Sequence, residues 1–281
     1  MSRITPLHGN GDMAHRFSLA RPDDPPHSPA ETLRIAMRAG YTHASLRLAD
    51  LAAAAWPFLH RDRAGANGEG RAILEDNGIR VLDLEGAPID AFSPLDTFLP
   101  LLETAARLGA RHVVARIDDA EHERATEAFA RLCDRALPFR LTVELSCVHG
   151  SATPRLAAAA AVVGAINRPN AGILIDTLDF TRAGDEPEEL RRLPKEWFHL
   201  VRVRDAASAG STTNCPAVVL PGEGSVDLRG ILDALPAGLP YALVPPRGAT
   251  AGAEEGWARR CILAARDCMD GLHGIRDLQA A

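Results

Sequence analysis

The sequence predicts a (β/α)8 barrel, in which eight parallel strands form a closed ring and helices cover the outside. Eight short apolar runs alternate with longer segments of helical period along the 281 residues. The runs begin roughly 25–40 residues apart, which is the size of one strand–helix unit. No GxGxxG motif follows the first run, so the competing open, doubly wound sheet lacks the dinucleotide-binding fingerprint. We therefore expect one barrel domain over residues 1–281, with 1–15 as an N-terminal extension.

Each apolar run is expected to form one strand, and the runs are 16–20, 43–48, 80–85, 112–117, 141–145, 172–176, 199–205 and 241–244. The intervening segments carry helix start and stop signals. In the first of them, Ser28 is placed as the N-cap, Pro29 opens the first turn and Glu31 lies three residues after the cap. Gly40 follows as the stop, because glycine tolerates the left-handed conformation that ends many helices.

Composition and charge exclude some classes of protein for this chain. Apolar residues make up 46% of the chain and charged residues 24%, which is an ordinary balance for a globular fold. The net charge of -6, with no basic run, argues against a nucleic-acid partner. The five scattered cysteines form no CxxC pair, and the N-terminal segment has no apolar signal stretch, so we expect a cytoplasmic protein. Its expected partner is a small-molecule substrate rather than a membrane; whether the barrel forms a homodimer stays open.

Charged residues follow several of the predicted strands, at the end where barrels of this kind carry their active sites. Side chains alternate along a strand, so Arg202 and Arg204 share a face and point inward if Val201 and Val203 face the helices. The same reasoning turns Glu144 and Asp176 inward. Burying these charges singly is costly, so they either form a structural layer of ion pairs or hold a ligand.

We therefore take Glu144, Asp176 and Arg202 as candidate catalytic residues. The candidate substrate-binding residues are Glu85, Arg204, Asp205, Arg247 and His149. Several have a plainer interpretation: His149 as a solvated loop residue, Glu85 as a partner of Arg116, and Arg247 as a surface arginine. The segment 206–221 is rich in small and polar residues and is expected to be a long loop beside the site.

Five stretches carry a resemblance to a known family. They are "LTVEL", "RPNAGILIDTLDFTRAGDEPEEL", "LVRVRDA", "LPGEGSVDLRGILDAL" and "YALVPPR". In order and spacing, from about residue 16 to 270, the chain resembles the sugar phosphate isomerase/epimerase family, the xylose-isomerase-like TIM barrels. The resemblance implies proton transfer on a small polyhydroxy or keto substrate. It also implies one divalent metal, often Mn or Mg, held by Glu, Asp, His and Glu on strands 5 to 8.

This chain keeps only half of the ligand set that the resemblance implies. Glu144 and Asp176 match the first two positions, whereas the third falls on Arg202 and the fourth on Val244. Arginine stays protonated and valine has no donor atom, so neither can bind a metal. We therefore expect no cofactor, with Mn or Mg on Glu144 and Asp176 as the weaker alternative. Arg202 would supply the positive charge instead.

Two functions are compatible with this pattern, and a third is disfavoured. The first is an isomerase, epimerase or related lyase that works without the metal. The second is a barrel that binds a small molecule and has lost catalysis along with the metal site. The third, a DNA-repair nuclease similar to endonuclease IV, needs histidines at the strand ends and a basic face, and the sequence has neither.

Overall fold

A computed structural model describes residues 16–21, 28–53, 78–91, 98–208, 217–247 and 253–279 of the chain. Eight strands close into a barrel in which every neighbouring pair is parallel. In order around the ring they are β1 (Phe17–Leu19), β2 (His43–Arg47), β3 (Arg80–Ile89), β4 (His112–Ile117), β5 (Thr142–Ser146), β6 (Ala171–Asp176), β7 (Val201–Val203) and β10 (Tyr241–Leu243). The predicted fold class is confirmed. The expected extension over 1–15 lies outside the described residues.

Helices follow the strands and cover the outside of the ring. They are α1 (Pro29–Ala39), α2 (Leu48–Ala53), α3 (Phe98–Arg107), α4 (His122–Ala136), α5 (Leu156–Ile166), α6 (Thr177–Arg182), α7 (Pro187–Arg191), α8 (Leu228–Ala234) and α9 (Glu254–Gln279). Short 3₁₀ turns lie at Leu137–Phe139 and Lys195–Trp197. Among the described residues, no helix is long and apolar enough to cross a membrane.

The first helix shows how local sequence sets the element boundaries. The Ser28 hydroxyl accepts a hydrogen bond from the Glu31 backbone N–H at 3.1 Å, as expected of an N-cap. Gly40 ends the helix with φ of 90°, a left-handed conformation that a side chain would strain. The predicted start and stop of α1 are confirmed.

The predicted loop after β7 contains a short hairpin. β8 (Asp205–Ala206) and β9 (Val218–Val219) pair antiparallel outside the barrel, which brings the "LPGEG" segment back to the end of β7. Residues 209–216, the middle of that loop, lie outside the described residues.

Alternation along the strands divides the core into two parts. Outward residues such as Ala171, Ile173 and Ile175 of β6 join the large core between strands and helices. Each such buried aliphatic side chain contributes about 1.5–3 kcal/mol. The apolar residues inside the barrel form a separate, smaller cluster, which consists of Ala20, Leu82, Val114, Leu174, Leu200, Ala242 and Val244.

The rest of the barrel interior is polar, in three groups stacked along the strands. His112 at the start of β4, His199 just before β7 and Glu144 in the middle of β5 form the group farthest from the C-terminal strand ends. Ser18, Ser45 and Asp83 form a hydrogen-bonded group inside the barrel. The third group lies at the C-terminal strand ends, which we call the mouth, and contains the candidate site.

Candidate functional site

Arg202 spans the barrel at the mouth. It lies on β7, and its Nη2 is 2.8 Å from Oε2 of Glu85 on β3, the strand opposite in the ring. Its Nη1 is 3.9 Å from Oδ2 of Asp176 on the neighbouring strand β6. Burial alone would lower the pKa of the Arg202 guanidinium, but Glu85 and Asp176 raise it above its usual value. Arg202 is therefore a permanent, buried cation between two carboxylates.

Arg204 forms the second cation of the mouth. Its Nε lies 2.8 Å from Oδ2 of Asp176, and its Nη2 lies 2.6 Å from Oδ2 of Asp179. Thr177 fixes the backbone at this point, because its hydroxyl accepts from the Arg204 N–H at 2.9 Å and donates to the Arg204 carbonyl at 2.6 Å. The predicted inward direction of Arg202 and Arg204 agrees with these contacts.

Asp176 ends β6 and also caps α6. Its Oδ1 accepts from the backbone N–H groups of Leu178 at 3.1 Å and Asp179 at 3.2 Å, and from Arg204 Nε at 2.9 Å. These three donors fix Oδ1 in one orientation. The other oxygen, Oδ2, has no hydrogen-bond partner among the described residues and faces the Arg204 and Arg202 guanidiniums, so Asp176 orients the cations of the mouth.

Asp179 has a different environment from Asp176, although only three residues separate them. Its side chain is about one-sixth exposed and faces the cations Arg204 and Arg182. Burial and the charge of Asp176 raise the pKa of Asp179 to about 6, against the lowering effect of Arg204 and Arg182. A carboxyl group that titrates near neutral pH suits proton transfer. The candidate set drawn from the sequence did not include Asp179.

Glu144 does not join the mouth network, contrary to expectation. Its Oε1 lies 2.9 Å from Nδ1 of His199 and 3.5 Å from Nδ1 of His112, and it accepts from the Thr142 hydroxyl at 2.6 Å. In register it pairs with Gly172, four residues before Asp176. The inward direction was predicted correctly, but the level along the strand was not. Ser146, two residues further along, is the buried inward residue of β5 nearer the mouth.

Asp205 was predicted to bind substrate, but its carboxylate is used within the protein. It accepts from four backbone N–H groups, those of Ala206, Gly222, Gly224 and Val226, at 2.8–3.2 Å. Gly224 is required there, since a Cβ atom on it would collide with Asp205 Oδ1. Asp205 therefore shapes the "LPGEG" segment instead of facing a ligand.

The remaining predicted residues have mixed positions. Glu85 pairs with Arg202 rather than with Arg116, which binds Asp118 instead. His149 is exposed in the turn after β5, and Arg247 is exposed beyond β10. Their roles in substrate binding stay predictions.

The donor atoms at the mouth do not fit the divalent metal that the resemblance implies. Oδ1 of Asp176 accepts from Arg204 and backbone N–H groups, and Oδ2 faces the Arg204 and Arg202 guanidiniums, whose positive charges would repel a metal ion. Glu144 contacts the histidines on the N-terminal side of the mouth. Val244 packs among the apolar residues inside the barrel. Within the described ranges, no group of three or more His, Cys, Asp or Glu side chains could hold a metal ion.

The closed ring of parallel strands, with its polar residues at the C-terminal ends, defines a (β/α)8 barrel of the kind that carries enzymes. The family described as xylose isomerase-like TIM barrel matches residues 33–242. The chain belongs to this family.

Solved structures with the same fold include proteins of several named activities. The IolI protein with a bound zinc atom has a TM-score of 0.70 at 18% identity, over 92% of this chain and 97% of that one. The probable 3-DHS dehydratase AsbF from Bacillus anthracis has a TM-score of 0.69 at 13% identity, over 89% of this chain and 98% of that one. The 3-keto-D-glucoside 4-epimerase YcjR from E. coli has a TM-score of 0.67 at 14% identity, over 89% of this chain and 99% of that one. No curated protein matches the sequence.

Proposed function

We propose that this barrel is an isomerase, epimerase or related lyase that moves a proton on a small polyhydroxy or keto compound at the mouth, with Arg202 in place of the family's metal. One observation carries the proposal: a buried guanidinium lies between Glu85 and Asp176 at the position where the resemblance places a metal-binding histidine. It supplies a fixed positive charge at the same end of the barrel.

The proposed roles follow from the environments of the side chains. Arg202 and Arg204 stabilise the negative charge that develops on a substrate oxygen when a proton leaves the neighbouring carbon. Asp179 accepts that proton and returns it, because it is partly exposed and its pKa is raised to about 6. Asp176 and Glu85 keep the two guanidiniums in position.

The names of the similar structures support this class of reaction. A keto-glucoside 4-epimerase and a dehydratase share the fold. In general chemistry, both reaction types begin with the loss of a proton from the carbon atom next to a carbonyl group. We extend that chemistry to this chain as a proposal, since the similarity at this level of identity concerns the fold.

The cysteines are consistent with a cytoplasmic protein that does not use thiol chemistry. The four that the structure describes are free thiols. Burial raises the pKa of Cys147, which is near the mouth, to about 12. A thiol with so high a pKa is a poor nucleophile at neutral pH.

The proposed function is tested by looking for carbon–deuterium exchange. The protein is incubated in deuterated water with a panel of sugars, sugar phosphates and small keto and aromatic acids, and the compounds are analysed by NMR for deuterium on carbon. We expect exchange or isomerisation of at least one compound. Arg202→Gln should lower its rate about 100-fold, as is typical of removing a donor to a developing oxyanion.

Arg116→Gln is the matched control, because Arg116 lies on β4, is half exposed and pairs only with Asp118 among its described contacts. It should leave the rate unchanged.

The second candidate function, a barrel that only binds, is favoured by the loss of metal ligands at Arg202 and Val244. Thermal stabilisation by a compound that never exchanges a proton would support that function and contradict the proposal.

A further inference from the structure

Asp83 is a fully buried carboxyl group that has no cation as a hydrogen-bond partner. It lies on β3, two residues nearer the N-terminal end than Glu85, and it is 0% exposed. Its Oδ1 is 2.5 Å from the Ser45 hydroxyl, and that hydroxyl is 3.0 Å from the hydroxyl of Ser18. Among the described residues, its Oδ2 has no hydrogen-bond partner. The group is therefore placed as a neutral acid would be.

The charges around Asp83 favour the protonated form. Glu85 on the same strand and Glu144 on β5 are both anionic neighbours, and Arg202 on β7 is the cation that faces it. Burial raises the pKa of Asp83 to about 7, Glu85 adds to the rise, and the Ser45 hydrogen bond and Arg202 oppose it. Since Arg202 is already paired with Glu85, its charge is shared.

Ser45 connects Asp83 to a cavity. A small polar cavity of about 10 Å³, the space that one water molecule needs, lies at the C-terminal ends of β1 and β2. It is lined by Arg21, Thr32, Ser45, Arg47 and Asp50. Arg47 and Asp50 hold each other in a bidentate pair, with contacts of 2.8 and 2.7 Å. Ser45, whose hydroxyl bonds the buried acid, is therefore also a lining residue of this cavity.

We infer that Asp83 stores a proton beneath the mouth and that the Ser45 hydroxyl exchanges this proton with water in the cavity. In the protonated state, the Asp83 O–H donates to Ser45 Oγ. On release, that proton moves to Ser45 Oγ while the proton of Ser45 passes to water or a buffer base in the cavity. Ser45 then donates to the Asp83 carboxylate, and its own charge is unchanged.

The stored proton makes Asp83 a positioning residue for Arg202. With Asp83 neutral, Glu85 is the anion that holds the guanidinium at the level of the mouth. With Asp83 ionised, a second carboxylate attracts Arg202 towards the interior. This consequence rests on the proposed function, whereas the storage and exchange of the proton do not.

Infrared spectroscopy of the full chain tests the storage directly, because a protonated carboxylic acid has its own carbonyl band. At about pH 5.5 we expect such a band from Asp83, which disappears as the pH rises through about 7. Asp83→Asn should remove it. Asp179→Asn should remove a different acid band, and Asp134→Asn should remove none, because the Arg168 guanidinium lowers the pKa of that carboxyl. Identical spectra for the wild type and Asp83→Asn would overturn the inference.

The relay is tested by the exchange of the same proton for deuterium. Ser45→Ala should keep the Asp83 acid band but slow its exchange, and Ser45→Thr, which retains a hydroxyl, should restore the rate. Exchange in Ser45→Ala at the wild-type rate would refute the relay. If Asp83→Asn does not fold, Asp83→Leu replaces it. If neither variant folds, Asp179→Asn decides, because it lacks the Asp179 band, and the absence of a remaining acid band that titrates near neutral pH contradicts the storage.

The link to the mouth has a separate readout. With a substrate found by the deuterium screen, Asp83→Asn should move the alkaline limb of the kcat profile to higher pH, because the amide cannot ionise. An unmoved limb would refute the positioning role. Failure to find any substrate would count against the proposed function and leave the infrared result standing.

Discussion

The ion pair across the barrel gives the sharpest prediction about stability. Arg202 and Glu85 have side chains that are 8% and 6% exposed, with their atoms 2.8 Å apart. Replacing Arg202 by Met removes the cation and leaves the Glu85 carboxylate in a site that excludes water. Breaking a buried pair in this way costs about 3–5 kcal/mol, whereas an exposed pair costs about 0–1 kcal/mol.

The double variant separates this penalty from the value of the pair itself. Arg202→Met with Glu85→Leu replaces both charges by apolar groups, and buried pairs replaced in this way are often neutral or even gain about 1–4 kcal/mol. Asp176 keeps its bond to Arg204 in every variant. We therefore expect the double variant to be clearly more stable than Arg202→Met alone.

Urea unfolding followed by circular dichroism measures these differences. The matched control is Arg116→Met, whose side chain is 50% exposed and pairs with Asp118, and it should cost less than about 1 kcal/mol. Two results would contradict this description of Arg202 as a buried, charge-balanced group. The first is a loss of stability in Arg202→Met that is no greater than in Arg116→Met. The second is a loss in the double variant that equals the sum of the losses in Arg202→Met and Glu85→Leu.

Three further predictions concern the framework. The His199 and His112 charges outweigh burial and lower the pKa of Glu144 to about 2, while Glu144 raises the pKa of His199. Glu144 therefore contributes about 3 kcal/mol to the free energy of unfolding above its unfolded pKa, and this contribution is lost as the pH falls towards about 2. The contribution of His199 is lost as the pH rises through its folded pKa. Urea midpoints against pH should show both limbs, and Glu144→Gln should flatten the acid one. Gly172→Ala should destabilise the fold, because its Cβ would collide with Glu144 and His199; wild-type stability would contradict the described packing. Asp205→Ala should cost about 3 kcal/mol in urea unfolding by leaving backbone N–H groups unpaired, and a cost no greater than that of Asp118→Ala would refute its structural role.

Alternation of side chains predicted the mouth well where the strand is regular. Arg202 and Arg204 lie two residues apart at the end of β7, and both reach carboxylates as expected. Asp176 was placed correctly because the apolar run "GILI" leads straight to it. In these cases the end of the apolar run also marks the end of the strand, so direction and level are fixed together.

Alternation gives the face of the sheet on which Glu144 lies, but not how close Glu144 is to the mouth. The inward face is the same for Glu144 and Ser146, and only the register with β6 shows that Glu144 pairs with Gly172. The sequence placed Glu144 at the mouth because the predicted strand, 141–145, ends one residue after it. The partners of Glu144 are His112 and His199, which lie near the N-terminal ends of β4 and β7 and gave no signal of their own in the sequence.

Strand β3 departs from strict alternation at one point. Its pairing with β2 shifts between Ala44 and Leu46, so one extra residue of β3 is accommodated there. The bulge places Val81 in the outer core but Leu82 inside the barrel, and it leaves Asp83 and Glu85 facing inward. A strict alternation read from the sequence cannot anticipate the inward direction of Leu82, although it does place Asp83 on the same face as Glu85.

The claim that Arg202 takes the place of the metal is tested most directly by metal content together with activity. The purified protein is analysed for Mn, Zn and Mg, and deuterium exchange on a substrate is measured before and after chelation. We predict no stoichiometric metal and an exchange rate that chelation leaves unchanged. One metal ion per chain, with exchange that is lost on chelation and restored by that ion, would contradict the account.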